Sequence, residues 1–76
     1  MNKKEQIVTF YGPYITLGQL FKKTNLVHMG GEVKLFLLEH DILVDGKKEN
    51  RRGRKLYDRS IISVDGVVFK VMQDVN

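Results

Sequence analysis

The sequence predicts an α+β fold in which two short N-terminal helices pack on a small, mainly antiparallel sheet. Three patterns carry that expectation. Apolar residues recur at helical spacing in two short stretches between residues 17 and 38. Runs of β-branched and aromatic residues occur near the start and again in the second half. Two Asp-Gly dipeptides, Asp45-Gly46 and Asp65-Gly66, punctuate those later runs and suit the positive φ angles of type I′ hairpins.

The elements follow in order. Gln6-Ile7-Val8-Thr9-Phe10-Tyr11 reads as a first strand that stops at Gly12-Pro13. Thr16 stands where a helix N-cap belongs, because its hydroxyl can accept a bond from an orphan backbone N–H. Leu17, Leu20 and Phe21 then form one apolar stripe, and Lys22 and Lys23 place cations at the negative end of that helix before Thr24-Asn25 ends it. Gly30-Gly31-Glu32 opens a second helix with Val33, Phe36 and Leu37 as its buried face; Leu35 and Leu38 widen the face and predict cover on two sides. Glu39-His40-Asp41 marks its exit. Ile42-Leu43-Val44 then returns through Lys47-Lys48-Glu49 across the first Asp-Gly turn, and Ile61-Ile62-Ser63-Val64 meets Val67 to Met72 across the second.

A chain of 76 residues with 42% hydrophobic and 29% charged residues predicts one globular domain over 1–76. The absence of Cys excludes a disulfide framework, a thiolate zinc site and a cysteine nucleophile together. The start, Met1-Asn2-Lys3-Lys4-Glu5-Gln6, leads into an apolar run too short for a secretory signal, and no window approaches the ~18 apolar residues of a membrane span. The expectation is a cytoplasmic protein without a membrane partner.

Charge is unevenly spread. Residues 47–55 hold Lys47, Lys48, Arg51, Arg52, Arg54 and Lys55 against the single anion Glu49, which is +5; the whole chain is +4, so everything else amounts to −1. Such a concentrated field predicts a polyanionic partner. Three Arg within four positions favour phosphate, whose oxygens a planar guanidinium binds two at a time, and Gly53 among them permits close backbone approach. A solvated loop is the plainer reading of any basic run. Gly30 and Gly31 admit two readings with equal weight, an eased helix entry or a bare N–H anion site within reach of Lys34.

Other chemistry finds little footing. His28 and His40 have no cysteine or spaced carboxylates to complete a metal set, and the adjacency of His40 and Asp41 comes without a nucleophile motif. Neither an enzyme, a cofactor nor a small-molecule substrate is expected. Tyr11, Tyr14 and Tyr57 are candidate stacking platforms for bases, with Tyr11 and Tyr57 expected to be half-buried sheet residues and Tyr14 the freest.

The stretches Ile15-Thr16-Leu17-Gly18-Gln19-Leu20-Phe21-Lys22, Gly30-Gly31-Glu32-Val33-Lys34, Ile42-Leu43-Val44-Asp45-Gly46 and Arg51-Arg52-Gly53-Arg54-Lys55-Leu56 together resemble the RNA-binding domain named after ribosomal small-subunit protein S-four. The likeness covers residues 15–66 and is nearest to the small stand-alone bacterial proteins of the YaaA type. It implies that two helices and the following hairpin form an L-shaped RNA-binding surface (the alpha-L motif) with no chemistry of its own. Gly30 stands where the broader family carries an Arg, Thr16 and Gln19 where it is basic, and Asp45 where it has Asn, which shifts the grip toward the 51–55 run. The resemblance and the charge together predict a protein that binds structured RNA, ribosomal or transfer, in ribosome assembly or translation, with ribosomal particles among its partners. The contacts expected are Arg51, Arg52, Arg54, Lys55 and Lys34, supported by Lys47, Lys48 and the backbone of Gly30 and Gly31. The alternative is an adaptor whose basic loop docks an acidic protein of replication or repair.

Overall fold

The computed structural model of the protein describes residues 5–74; the charged start at Met1–Lys4 lies outside the described residues. Its elements are β1 (Gln6–Phe10), β2 (Ile15–Thr16), α1 (Leu17–Lys23), a single 3₁₀ turn over Gly30–Glu32, α2 (Val33–Glu39), β3 (Ile42–Val44), β4 (Lys47–Lys48), β5 (Lys55–Leu56), β6 (Ile61–Val64) and β7 (Val67–Gln73). The class is α+β as expected. Two details of the expectation are corrected. The helices are not N-terminal, since β1 and β2 precede them, and the main sheet is mixed, with order β1-β7-β6-β3-β4.

The mixed character comes from one pairing. β1 lies parallel to β7, with Val8 opposite Val71, while β7–β6, β6–β3 and β3–β4 are antiparallel. Antiparallel neighbours are joined here by two-residue turns, which Asp-Gly supplies: Asp45 and Asp65 take φ of 50°, Gly46 and Gly66 of 85° and 88°. A parallel pair needs a long crossover, and almost the whole chain between β1 and β7 provides it. Period-two alternation marks a strand but not the direction of its neighbour, so this pairing is not visible in the pattern.

The two hairpin aspartates also tie neighbouring segments. Asp45 Oδ1 accepts from the Ile61 N–H at 2.9 Å, and Asp65 Oδ1 accepts from the Asp41 N–H at 2.8 Å. The negative charge that Asp45 brings to the turn is thus turned toward the neighbouring strand.

Helix α1 begins as its first residues dictate. The Thr16 hydroxyl accepts from the Gln19 N–H at 3.2 Å, and the Gln19 side-chain oxygen accepts from the Thr16 N–H at 2.9 Å, a reciprocal capping box. Leu17, Leu20 and Phe21 bury one side completely, and Val33 and Leu37 of α2 join them on the sheet face formed by Ile42, Val44, Ile62, Val64, Phe69 and Val71. The predicted two-sided cover of α2 is not found: Leu35 and Leu38 are 56% and 73% exposed. This seven-residue helix buries only Val33 and Leu37 and presents its other side to solvent. Among the described residues, no helix is long and apolar enough to cross a membrane.

Replacing Thr16 by Ala should cost about 1 kcal/mol, the usual value of an N-cap, and lower the melting temperature by roughly 4–8 °C for a domain of this size. Leu38→Lys should change stability by no more than about 0.5 kcal/mol. Thermal melts followed by circular dichroism check both, and equal losses at the two positions would mean that Leu38 is covered after all.

Candidate nucleic-acid interface

The basic segment is organised around its one acid. Glu49 follows β4, and its side chain is only 6% exposed. A carboxylate taken out of water must be compensated by charge and hydrogen bonds. Five donors do so: the backbone N–H groups of Asn50 and Arg51, the Arg51 Nε and Nη2, and the Arg54 Nη1, at 2.8–3.1 Å. The Arg51 hydrogen bonds lead in holding the Glu49 carboxyl down at about 2, against an ordinary 4.5 and against the opposing pull of burial. The same contact raises the Arg51 guanidinium.

With its side chains drawn to Glu49, the loop turns (Arg54 N–H to Arg51 C=O, 3.1 Å) and lays its carbonyls on the start of α1. The Arg54 carbonyl accepts from the Leu17 N–H and the Arg52 carbonyl from the Gly18 N–H, both at 2.9 Å. Two of the helix's orphan donors are therefore satisfied by the basic loop, and a third by Thr16. The loop packs closely on Gly18: a Cβ there would stand 3.4 Å from the Arg52 carbonyl oxygen and 3.5 Å from the Val33 side chain, in contact but without a clash. β5 continues the contact by pairing Lys55 with Thr16 and Leu56 with Ile15.

The result is a groove between α1, the glycine turn before α2 and the basic loop. It is lined by Thr16, Gly18, Gln19, Lys22, Gly30, Val33, Arg52 and Gly53. Two cations face it, Arg52 from the loop and Lys22 from α1, and among the described residues neither pairs with a carboxylate. The Lys22 Nζ lies 3.9 Å from where a Cβ on Gly30 would be.

The expected contact residues divide accordingly. Arg52 and Gly30 line the groove; Arg51 and Arg54 stand beside it on the same loop, bound to Glu49. Arg51 remains 70% exposed and uses two of its five N–H donors on Glu49, so its outer edge is open to a ligand. Lys55 is on β5, Lys34 on α2, and Gly31 adjoins Gly30 with nothing around it. Lys47 and Lys48 form β4; Lys48 reaches Asp41 at 3.5 Å and borders a different hollow with Leu37, His40 and Asn50. At the glycine turn, the Glu32 carboxylate already accepts from the His28 and Met29 N–H groups at 3.2 and 3.1 Å.

Lys22 and Gln19 were missed as groove residues. A signal existed: they lie four and one residues after Gly18, so Lys22 shares a helix face with Gly18, on which the loop docks. The tyrosines also differ from expectation. Tyr11 and Tyr57 are 73% and 54% exposed, whereas Tyr14, at 37%, is the most covered, because Tyr57 meets it edge-on and the Lys55 ammonium sits 4.9 Å from its ring centre. His40 is paired with Asp65 at 2.6 Å rather than with its neighbour Asp41, and this hydrogen bond keeps the Asp65 carboxyl below its ordinary range.

A short α+β domain whose groove, between α1, the glycine turn before α2 and a basic loop, is lined by two cations unpaired among the described residues is of the class that can hold a polyanion. The comparison with known families agrees: residues 8–72 match the S4 domain, and the chain belongs to that family. Over 62 residues, 82% of this chain and 84% of the relative, it is 45% identical to a Bacillus subtilis (strain 168) protein called probable ribosome maturation protein RlbA. No solved structure matches it.

The Glu49 carboxyl has a further consequence. Its folded value of about 2 lies below the ordinary 4.5 it regains on unfolding, so between those values the unfolded chain binds more protons. Its contribution to stability is present above about 4.5 and is lost as pH falls toward 2. Glu49→Gln should melt lower at neutral pH, by about 1–3 kcal/mol for charged hydrogen bonds weakened in place, and should show a flatter acid limb. Melts of both proteins from neutral to acid pH test this; parallel curves would contradict it.

Proposed function

We propose that this S-four-type domain is a non-catalytic RNA-binding protein of ribosome assembly, which holds the phosphate backbone of structured RNA in the groove between α1 and the basic loop. One observation carries the reading: Lys22 of α1 and Arg52 of the basic loop line the same groove, neither with a carboxylate partner among the described residues, and the loop is fixed to the helix by its own carbonyls. A strip of phosphate fits there because the backbone carrying the guanidinium and ammonium groups is already fixed, so that binding has only their side chains to order. The name of the Bacillus subtilis relative supports the placing in ribosome maturation, and ribosomal RNA is the preferred substrate within that reading, with transfer RNA behind it.

The full contact set is Arg51, Arg52, Arg54, Lys55 and Lys34, flanked by Lys47, Lys48 and the backbone of Gly30 and Gly31, with Lys22 added. Arg51 and Arg54 act through their outer donors while Glu49 holds their inner ones. The protein works in the cytoplasm, where ribosomes are assembled.

If about five cations meet phosphates, the log of affinity should fall against the log of salt with a slope of roughly −3 to −4 where the contacted RNA is single-stranded and about −4.5 where it is paired. Arg52→Ala should weaken binding to ribosomal RNA and flatten that slope by about 0.7–1, with the melting temperature unmoved. Replacing Arg51 and Arg54 together should weaken binding and also lower the melting temperature, because Glu49 is left buried without its partners. Anisotropy titrations over a salt series test the reading. A salt-independent affinity, or a partner complex that survives nuclease, would count against it.

A further inference from the structure

The groove does not end at α1. Gln19 lines it on one side and on the other lines a shallow depression with Phe10, Tyr11, Tyr14 and Lys23. The origin of this second surface is the two-stranded β2–β5 ladder. Side chains alternate across a strand, so Ile15 and Leu56, directly opposed, both point into the core, and their neighbours point out. Tyr14 precedes Ile15 and Tyr57 follows Leu56, which brings the two rings together with centroids 6.3 Å apart. Lys55, opposite Thr16, lies on the same outer face, its ammonium held near the Tyr14 ring. Tyr14 thus links the other two tyrosines, sharing the depression with Tyr11 and its ring contact with Tyr57, and those two are more than half exposed.

Exposed aromatic rings beside a cation, continuous with a phosphate-binding groove, are how single-stranded nucleic acid is held: the base lies on the ring and the backbone follows the charge. We infer that the Tyr11–Tyr14–Tyr57 patch is a stacking platform for an unpaired nucleobase of the same RNA whose backbone occupies the groove. The inference rests on the RNA-binding reading and makes it more specific. Tyr57 and Tyr11 offer the open ring faces, Tyr14 braces Tyr57 and positions Lys55, and Lys55 takes the phosphate next to the stacked base. Lys23 is spent otherwise, donating to the Thr9 carbonyl at the rim. The preferred ligand is then a junction, where a paired stem lies in the groove and the first unpaired nucleotides pass Gln19 onto the tyrosines.

The test compares an RNA hairpin ending flush with the same hairpin carrying a short uridine tail on either end. The wild-type protein should bind one tailed form about fivefold or more tightly than the flush one. In the Tyr11→Leu, Tyr57→Leu double variant, which keeps apolar cover at exposed positions, that ratio should fall to near one. Arg52→Ala should weaken tailed and flush RNA alike and leave the ratio standing. A second measurement needs no variant. With three Tyr and no Trp, the protein's intrinsic emission arises from this patch alone. The tailed RNA should therefore quench it well beyond the flush RNA, after correction with free tyrosine. Equal affinity and equal quenching for tailed and flush RNA overturn the platform and leave the groove intact. Failure to bind either RNA overturns the groove and the platform together.

Discussion

A carboxylate buried beneath guanidinium groups constrains everything around it. Glu49 is sequestered because the chain leaving β4 must turn inward toward the start of α1, and its two oxygens accept five hydrogen bonds there. Taken alone, a buried ion pair is weak evidence of stability, since desolvation offsets the attraction. Here its effect is on shape. The pairs at 2.9 and 2.8 Å pull Arg51 and Arg54 toward one point and force the intervening residues into a turn whose carbonyls face α1. Without that anion, six cations within nine residues would repel one another and the segment would spread into solvent. One negative charge inside the cluster therefore makes the cluster a surface.

The helix gains as much as the loop. α1 has only seven residues, too few to be stable from propensity alone. It persists because its apolar stripe is fully buried and because its first N–H groups are met from two directions, by the capping box of Thr16 and Gln19 and by the loop carbonyls of Arg52 and Arg54. Residues that stabilise the helix are thus also ones that border the groove. In a chain this small there is little buried surface to spare for a separate scaffold.

Much of this was legible in the sequence because much of it is local. The Thr16 cap, the Leu17-Leu20-Phe21 stripe and both Asp-Gly turns each depend on residues within a few positions of one another, and all formed as expected. What the sequence hid involves partners far apart along the chain. The parallel β1–β7 pairing spans the whole fold, and the β2–β5 ladder joins residues 39 and 41 apart, neither with a local signature. The candidate site follows the same division. The basic run was plain from charge, but that Arg51 and Arg54 would close on Glu49 while Arg52 would not depends on the turn, and Lys22 enters the site only because the loop docks across Gly18. Side-chain exposure failed for a related reason. Leu35 and Leu38 lie on the right helix, yet no second layer covers them, and the tyrosines flank a ladder that alternation could not foretell.

Counting positive charges consequently overstates how the surface grips and understates how it selects. Five net charges in residues 47–55 would attract any polyanion. The folded arrangement is narrower: Glu49 fixes the inner edges of two arginines, Asp41 draws Lys48 toward another hollow, and Tyr14 holds Lys55 on the outer face of β5. Arg52 and Lys22 are left lining one groove between backbone elements. A flexible basic tail meets phosphates in any spacing, whereas cations tethered to a helix, a turn and a ladder meet them only where the RNA's own backbone presents the matching path. Selection by spacing would need no base-reading side chain, and a chain of 76 residues can arrange such spacing because its internal anions decide which of its cations remain open.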